Sequence, residues 1–314
     1  MELVKTIKDQ CHECYACVRN CPAKAVRVRN GQARVITERC INCANCVDIC
    51  SQGAKEVRDY KKKTKSLLNS DRKIIAGIAP SFPAYDPELQ IEDWINYLEE
   101  LGFDGVYEVA WGAQLMIKEY QKYLKQQEEL VISTACPVIV NYVEKYYPEL
   151  VSNLAPIVSP MGALVNYISQ IENPEIEIVL VGPCHAKKGE FESYANVTVL
   201  TFNETVKLGK KLSGKEIANN HTIRDQKNNM KSNIKEDNIN NSVLNPDKKA
   251  RKIPLAGGLL EALNSENDGE NFIKVEGREK ISELFDAVIN NEIQPKFIDA
   301  LFCEGCINGV DLSG

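Results

Sequence analysis

Long apolar runs are missing from this sequence, since none approaches the roughly 18 uninterrupted apolar residues that a membrane-spanning helix needs. The first residues, MELVKTIKDQ, also lack the apolar core of a secretory signal. Basic residues are not in excess, because 38 lysines and arginines stand against 44 aspartates and glutamates, for a net charge of -6. We therefore expect a cytoplasmic protein with no membrane span, and we do not expect nucleic acid as its principal partner.

The pattern along the chain predicts a small N-terminal domain followed by a larger one. With 314 residues, 44% of them hydrophobic, the chain can form one or two globular domains, and a largely disordered or fibrous protein is excluded. We assign residues 1–58 to the first domain, 59–72 to a linker or surface helix, and 73–314 to the second domain. Within the latter, residues from about 212 to 251 are rich in Asn, Lys and Asp, which predicts a disordered insertion.

Cysteine is abundant, and its spacing is the strongest signal in the sequence. The twelve cysteines fall into two tight quartets and one dispersed quartet: Cys11, Cys14, Cys17 and Cys21; Cys40, Cys43, Cys46 and Cys50; and Cys136, Cys184, Cys303 and Cys306. In a chain expected to remain in the cytoplasm, such cysteines indicate metal binding or redox chemistry rather than disulfides.

The two tight quartets share the CxxCxxCxxxC spacing of bacterial ferredoxins, and the first is followed by Pro22. In that arrangement the fourth cysteine of each run binds the other cluster. The spacing thus predicts two 4Fe-4S clusters, one held by Cys11, Cys14, Cys17 and Cys50, and the other by Cys21, Cys40, Cys43 and Cys46. Structural zinc also takes four thiolates and is the alternative, but it rarely needs this triple spacing twice. Between the quartets, AVRVRNGQARVI alternates about Asn30-Gly31 and predicts a hairpin, so the domain is expected to be a small α+β unit.

The second domain alternates short apolar runs with longer amphipathic segments. The runs are KIIAGIAP, GVYEVA, LVISTAC, IEIVLVGPC, VTVLTF and FIDALFC. This alternation predicts an α/β fold with parallel strands joined by crossover helices. Cys136, Cys184 and Cys303 each stand where an apolar run ends, and ligands gather beyond the carboxyl ends of such strands. A shared site for these cysteines is therefore geometrically reasonable.

Three segments around the dispersed quartet resemble the signature regions of the iron-only (FeFe) hydrogenases. They are STACPVIVNYVEKYYPEL, VGPCHAKKGEFE and LFCEGCINGV, in the order found in that family, and IAPSFPA, GFDGVYEVAWGAQL and LAGGLLEAL resemble its supporting stretches. The resemblance covers most of residues 73–314 outside the predicted insertion. A ferredoxin domain in front of this region is also common in the family.

The resemblance implies a third 4Fe-4S cluster and a two-iron subcluster that carries carbonyl, cyanide and a dithiolate bridge. Cys136, Cys184, Cys303 and Cys306 would hold the third cluster, with Cys306 as the bridging and catalytic ligand. Lys187 matches the lysine that contacts a cyanide ligand, Glu190 matches the acidic residue after it, and the early loop Ala79, Pro80 and Ser81 would also contact the cofactor. A cation in a closed pocket can hold anionic ligands through charge-assisted hydrogen bonds.

Simpler interpretations of the same residues stay open. A buried cysteine such as Cys136 or Cys184 is often a small apolar side chain. Cys303 and Cys306 have the spacing of a redox dithiol or of half a zinc site. Lys187 beside Lys188 is compatible with a solvated pair.

The sequence departs from catalytic members of the family at positions that handle protons. Ala135 stands where those members carry a second, proton-relaying cysteine, and the helix after Gly112 reads Lys118-Glu119-Tyr120 in place of neighbouring carboxylates. The last motif is CxxC rather than CxxxC, Val310 interrupts its glycine run, and the sequence ends at Gly314. Substituted sensory branches of the family share the alanine and the CxxC, and the ending is compatible with a shortened or partner-completed form.

These observations predict an iron-sulfur redox protein similar to FeFe hydrogenase. It would interconvert dihydrogen with protons and electrons, slowly and in a sensory or regulatory role, and would exchange electrons with a partner protein. The alternative is a non-catalytic electron-transfer or iron-sulfur assembly protein that holds 4Fe-4S clusters alone. The sequence does not predict the oligomeric state.

Overall fold

The computed structural model describes residues 2–172, 176–209, 246–263 and 271–308, together with residue 312. No helix in this described part of the chain combines the length and the apolar content needed to cross a membrane. The mixed α/β fold with parallel sheets agrees with the predicted fold class.

The N-terminal module consists of two antiparallel strand pairs and two single-turn helices. Its elements are β1 (Val4–Thr6), α1 (Ala16–Arg19), β2 (Val26–Arg29), β3 (Gln32–Val35), α2 (Asn45–Asp48) and β4 (Lys55–Val57). Strand β1 pairs with β4, and β2 pairs with β3. The predicted hairpin is confirmed: Asn30 and Gly31 have φ values of 52° and 73°, as a two-residue turn with two left-handed positions requires.

The predicted linker contains a helix, α3 (Lys61–Leu68). Thr64 on this helix is fully buried, and Leu67 and Leu68 pack against the core of the second domain. The segment therefore joins the two domains as a packed element.

The second domain is built on parallel strands. They are β5 (Ile74–Ile78), β6 (Gly105–Glu108), β7 (Val131–Ile132), β8 (Glu177–Val181), β9 (Val197–Leu200), β10 (Phe272–Glu276) and β11 (Phe297–Leu301). Within the described residues, they form a four-stranded sheet in the order β6-β5-β8-β9 and a three-stranded sheet in the order β10-β11-β7. All six apolar runs identified in the sequence contain a strand, and β5, β8, β9 and β11 are buried along their whole length.

Helices connect and cover these strands. They are α4 (Phe82–Tyr85), α5 (Ile91–Leu101), α6 (Val109–Leu124), α7 (Pro137–Tyr146), α8 (Pro160–Ile171), α9 (Ala186–Glu190), α10 (Phe202–Val206), α11 (Lys248–Arg251), α12 (Gly258–Leu263) and α13 (Arg278–Ile289). Helices α6 and α8 approach closely at Gly112, where an added Cβ would overlap the carbonyl oxygen of Pro160 and lie 2.7 Å from the backbone nitrogen of Leu164. Only a residue without a side chain fits this crossing.

Most of the predicted insertion, from residue 212 to residue 245, lies outside the described residues. Its last part is described, and there the prediction of disorder is wrong: α11 packs against α6, and Ala250 is fully buried. Arg251 forms a two-pronged ion pair with Glu108, with nitrogen–oxygen distances of 2.9 and 2.7 Å. The prediction fails here because Ala250 and Ile253 are buried in an apolar cluster, although the residues before them are mostly polar.

Candidate metal centres

The structure gathers the two tight cysteine quartets around two cavities in the crossed arrangement that the spacing predicts. One cavity, called here the first cavity, is lined by Cys11, Cys14, Cys17 and Cys50. The other, called the second cavity, is lined by Cys21, Cys40, Cys43 and Cys46. Apart from its cysteines, the second cavity is lined by apolar residues such as Ile41, whereas the lining of the first includes Val28 but also Glu13, Gln52 and Lys55. Each cavity thus presents four thiols.

The backbone of each quartet turns in the same unusual way. Glu13 and Tyr15 in the first run and Asn42 and Ala44 in the second have φ between 54° and 61°, in the left-handed region that non-glycine residues rarely adopt. Alternating left-handed residues turn successive N–H groups toward a common anion, as in many iron-sulfur sites. Backbone N–H groups already point at sulfur: Ala25 donates to Cys21 Sγ at 3.2 Å, and Ala54 donates to Cys50 Sγ at 3.3 Å. The donor set therefore fits an anionic cluster held by thiolates.

A buried lysine that the sequence analysis missed lies between the two quartets. Lys55 is 5% exposed, lines the first cavity, and donates to Thr6 Oγ1 at 2.6 Å and to the carbonyl oxygen of Ala33 at 3.3 Å. Burial raises the pKa of Cys17 and raises that of Cys46 to about 12, and in both cases the positive charge of Lys55 opposes the rise. The sequence offered one sign that Lys55 is buried: it stands two residues before Val57, so in a strand both side chains point to the same, inward face.

The dispersed quartet converges where strands from both sheets end. Cys136 follows β7 and caps α7, Cys184 lies between β8 and α9, and Cys303 follows β11, with Cys306 opening a 3-10 turn at Cys306–Asn308. Burial raises the pKa of Cys306, and the charges of Cys184, Cys136 and Cys303 raise it further. Burial likewise raises the pKa of Cys184 to about 11 and that of Cys303 to about 12, and Cys136 adds to both. The four thiols are near enough to act on one another, as the shared site requires.

Hydrogen bonds from neighbouring segments hold the turn that carries Cys303 and Cys306 in place. The backbone N–H of Cys306 donates to the carbonyl oxygen of Pro254 at 2.7 Å. The loop after Pro254 leads into α12, whose Leu260 N–H donates to the buried carboxylate of Asp299 on β11 at 3.1 Å. The start of α12 and the end of β11 together therefore fix the turn that carries Cys306.

Lys187 is not a solvated lysine, because it is buried beside the dispersed quartet. Its ammonium donates to Glu190 Oε2 at 2.6 Å and to the carbonyl oxygen of Ala135 at 3.3 Å. Its charge opposes the rise in pKa that burial causes at Cys184 and Cys306. Glu190 in turn accepts a hydrogen bond of 2.5 Å from Ser159 Oγ, a partner that the sequence analysis missed because it comes from the start of α8.

The early loop Ala79, Pro80 and Ser81 follows β5 and lies at the edge of the four-stranded sheet where β8 leads to Cys184. Ala79 donates from its backbone to Val181 at 2.8 Å, next to the segment that carries Cys184, and α4 after the loop packs against the turn Cys306–Asn308. The hydroxyl of Ser81 is buried, with no hydrogen-bond partner among the described residues, and so is Nδ1 of His185. Buried polar atoms of this kind normally have a partner, so these residues fit a further polar group in the site.

The second cavity adjoins the dispersed quartet. Lys145 on α7 donates to the carbonyl oxygen of Cys40 at 2.6 Å, and the hydroxyl of Tyr146 shares its one proton between the carbonyl oxygens of Ala23 at 2.5 Å and Arg39 at 2.9 Å. On α9, an added Cβ at Gly189 would lie 2.9 Å from Nδ2 of Asn42. The helices that follow Cys136 and Cys184 thus pack directly on the loop between Cys40 and Cys43.

Comparison with known proteins assigns both parts of the chain. Residues 72–310 match the family model described as iron only hydrogenase large subunit, C-terminal domain, and residues 3–51 match that of a 4Fe-4S dicluster domain. The dicluster match supports iron-sulfur cofactors over structural zinc.

Two curated relatives each match part of the chain. Iron hydrogenase 1 of Clostridium pasteurianum is 31% identical over an alignment of 154 residues and covers 42% of this chain, and the match covers 27% of that protein. Cytosolic Fe-S cluster assembly factor NAR1 of Candida dubliniensis is 31% identical over an alignment of 120 residues and covers 34% of this chain, and the match covers 20% of that protein. The matches therefore span about a quarter of the length of these relatives.

Solved structures share the fold. The FeFe-hydrogenase HydA(deltaEFG), whose structure revealed stepwise H-cluster assembly, has a TM-score of 0.54 at 18% identity, over 80% of this chain and 84% of that one. A glutamate-to-alanine variant of FeFe-hydrogenase HydA1 from Chlamydomonas reinhardtii also has a TM-score of 0.54 at 18% identity, over 80% of this chain and 84% of that one. At this identity the likeness establishes the fold.

Proposed function

Because this chain belongs to the family of the iron-only hydrogenase large subunit, C-terminal domain, we propose that it interconverts dihydrogen with protons and electrons, slowly and in a sensory or regulatory role. Cys136, Cys184, Cys303 and Cys306 would hold a third 4Fe-4S cluster, and Cys306 would bridge it to a two-iron subcluster. When bound, that subcluster would supply the iron at which dihydrogen is formed or split.

The observation that carries this proposal is the convergence of the four distant thiols with a buried cation. Lys187 lies where its charge reaches both Cys184 and Cys306, and Glu190 and the carbonyl of Ala135 fix its position. A desolvated ammonium is suited to hold an anionic diatomic ligand. The buried hydroxyl of Ser81, which has no hydrogen-bond partner among the described residues, would supply a second donor.

The order of the centres supports electron flow through the N-terminal module. The second cavity adjoins the dispersed quartet through α7 and α9, while Cys14 in the first cavity is exposed. Electrons would enter near the first cavity, pass the second and reach the dispersed quartet. We propose a partner protein as their source or acceptor. We also propose the cytoplasm as the location, where thiols such as the twelve free cysteines stay reduced.

The surroundings of Ala135 support slow turnover. Ala135 is 9% exposed and carries no proton-transfer group. On α6, Glu119 points to solvent, where its carboxylate pairs with Lys122 at 2.8 Å, and the side chain that faces the Ala135 segment is Tyr120. Proton transfer needs a group within hydrogen-bond reach or one water away. We propose that the redox state of the clusters, rather than rapid gas turnover, is the output.

A second candidate function is iron-sulfur assembly or electron transfer with 4Fe-4S clusters alone. It is favoured by the match to the assembly factor NAR1. It also agrees with the ion pair between Lys187 and Glu190, because the carboxylate neutralises the charge of the ammonium that would otherwise face a cyanide ligand.

Infrared spectroscopy separates the two candidates. The protein is produced with the full hydrogenase maturation machinery, and its iron content is measured beside the spectrum. Bands from metal-bound carbonyl and cyanide are expected, and a Cys306→Ser variant should lose them while it keeps the roughly eight irons of the N-terminal clusters. A preparation with about twelve irons and no such bands would establish the second candidate instead.

A further inference from the structure

The hairpin β2–β3 carries a group of three arginines on its outer face. Arg27, Arg29 and Arg34 are all exposed, and the strand register places Arg27 directly opposite Arg34. Like charges directly opposite each other destabilise an antiparallel pair. Among the described residues, no ion pair or hydrogen bond of these three guanidinium groups offsets that cost.

The inner face of the same two strands lines both cysteine cavities. Val28 and Ala33 line the first cavity, and Val26 and Val35 line the second. Because successive side chains of a strand point to opposite faces, the arginines lie one strand layer from both quartets. Stacked sheets lie only about 10 Å apart, so a protein bound to the outer face of this hairpin would be near both centres.

In the part of the second domain that the structure describes, three hydrogen bonds to the N-terminal module do not involve this face. The second domain makes them to the loops beside it: Arg278 donates to the carbonyl oxygen of Asn20 at 3.0 Å, Tyr146 to that of Ala23, and Lys145 to that of Cys40. These contacts lie on the loops around Cys21 and Cys40, away from the outward arginines.

We propose that the outer face of the β2–β3 hairpin, formed by Arg27, Arg29 and Arg34, is the docking surface for an acidic electron-carrier protein. The proposal rests on the proposed redox function, because it requires iron-sulfur clusters in the two cavities beneath the hairpin. In the transfer itself, the carrier is oxidised by one electron and the N-terminal module is reduced by one, with no bond formed or broken.

Charge favours an acidic protein over other anionic partners. The whole chain has a net charge of -6, so the protein as a whole does not attract an acidic carrier, and a local basic patch beside the two cavities would orient it. A nucleic acid would need a more extended basic surface than three arginines on an acidic protein.

The test compares two variants that remove the same number of positive charges from the cluster-loaded protein. One carries Arg27→Gln, Arg29→Gln and Arg34→Gln, and the control carries Lys62→Gln, Lys63→Gln and Lys65→Gln on the exposed side of α3. Stopped-flow absorbance follows cluster reduction by a reduced acidic two-cluster ferredoxin across a range of salt concentrations. Reduced methyl viologen, a small cation that needs no docking surface, is the second reductant.

In the arginine variant, the second-order rate constant for reduction by ferredoxin at low salt should fall about tenfold or more. This rate constant should also lose most of its dependence on salt concentration. The control should lose much less, and both should react normally with viologen. Equal rates of reduction by ferredoxin in the two variants would overturn the docking proposal. A second measurement, binding of the protein to anionic lipid vesicles, would also overturn it if binding depended on the three arginines while the rate of reduction by ferredoxin did not. If viologen reduces none of the proteins, the redox function itself is wrong.

Discussion

The hydroxyl of Tyr120 lies 2.9 Å from Thr134 Oγ1 and accepts a hydrogen bond of 2.8 Å from the backbone N–H of the same threonine. Thr134 directly precedes Ala135 and also donates to the carbonyl oxygen of Ile157 at 2.6 Å. Burial raises the pKa of Tyr120 to about 12, against the opposing effect of its hydrogen bonds to Thr134. The phenol therefore stays protonated near neutral pH, and α6 presents a neutral hydroxyl to the segment that carries Ala135.

Replacing Ala135 with cysteine should accelerate turnover. Ala135→Cys would place a thiol beside the dispersed quartet, and a positioned proton-transfer group contributes about 100-fold to 10,000-fold to a rate. We expect an increase within this range in dihydrogen evolution with reduced viologen as the electron donor.

The matched control for this change is Ala135→Val, which adds volume without a proton-transfer group. It should not raise the rate. If Ala135→Cys leaves the rate unchanged in a preparation whose infrared spectrum shows the subcluster, then proton relay is not what limits turnover.

Single substitutions should reveal the crossed sets of cysteines in the N-terminal module. Cys50→Ser and Cys14→Ser change residues of the first cavity, whereas Cys21→Ser and Cys46→Ser change residues of the second. Electron paramagnetic resonance of the reduced proteins should therefore show the same altered cluster signal for the first two variants and the other altered signal for the last two. A spectrum of Cys50→Ser that matches Cys46→Ser would assign each cluster to one continuous run instead.

Much of the fold was predictable because its strands are continuous apolar runs. Strands β5 and β8 are buried along their whole length, so their sequences are nearly continuous apolar runs, which is the pattern of central parallel strands. Strand β10 was not predicted, because FIKVE is only partly buried at the edge of its sheet and contains a lysine. The division into two sheets was equally hidden, since β11 pairs with β7, which lies far earlier in the chain.

The cysteines of the candidate site were predictable, but their surroundings were not. Spacing places the tight quartets, and the ends of apolar runs place Cys136, Cys184 and Cys303. The partners of Lys187 and the burial of Lys55 depend on contacts between elements distant in sequence, such as Ser159 with Glu190. No local pattern encodes such contacts.

Gly112 should be essential for the packing of α6 against α8. A methyl group there would overlap the carbonyl oxygen of Pro160 and the backbone of Leu164, which cannot rotate away as a side chain could. We expect Gly112→Ala to lower the free energy of unfolding by about 1–3 kcal/mol or more, as overpacking typically does. Denaturant unfolding of the cluster-loaded protein measures this.

The control for that substitution is Asn166→Ala on the exposed face of α8, which should change the free energy of unfolding by no more than about 0.5 kcal/mol. If the two variants are equally stable, the two helices can separate at little cost, and the close approach at Gly112 is not required.

Lys55 should raise the reduction potentials of the N-terminal clusters. Its buried ammonium lies in the wall of the first cavity, and its charge acts on Cys17 of one quartet and on Cys46 of the other. Reduction adds negative charge, which a nearby cation stabilises. Lys55→Met should therefore lower the potentials by about 40 mV for each kcal/mol of interaction lost, because about 1.4 kcal/mol corresponds to about 59 mV for a one-electron couple. The larger change is expected at the first cluster.

Lys5→Met is the matched control, because Lys5 lies on the neighbouring strand β1 but is exposed to solvent, which screens its charge. Redox titrations followed by electron paramagnetic resonance give both potentials in each variant. A fall in potential for Lys55→Met alone, with unchanged iron content, is the expected result. Equal shifts in the two variants would mean that net charge rather than the buried position of Lys55 sets the potentials, and a loss of iron from Lys55→Met alone would make the lysine a structural support of the cavity wall.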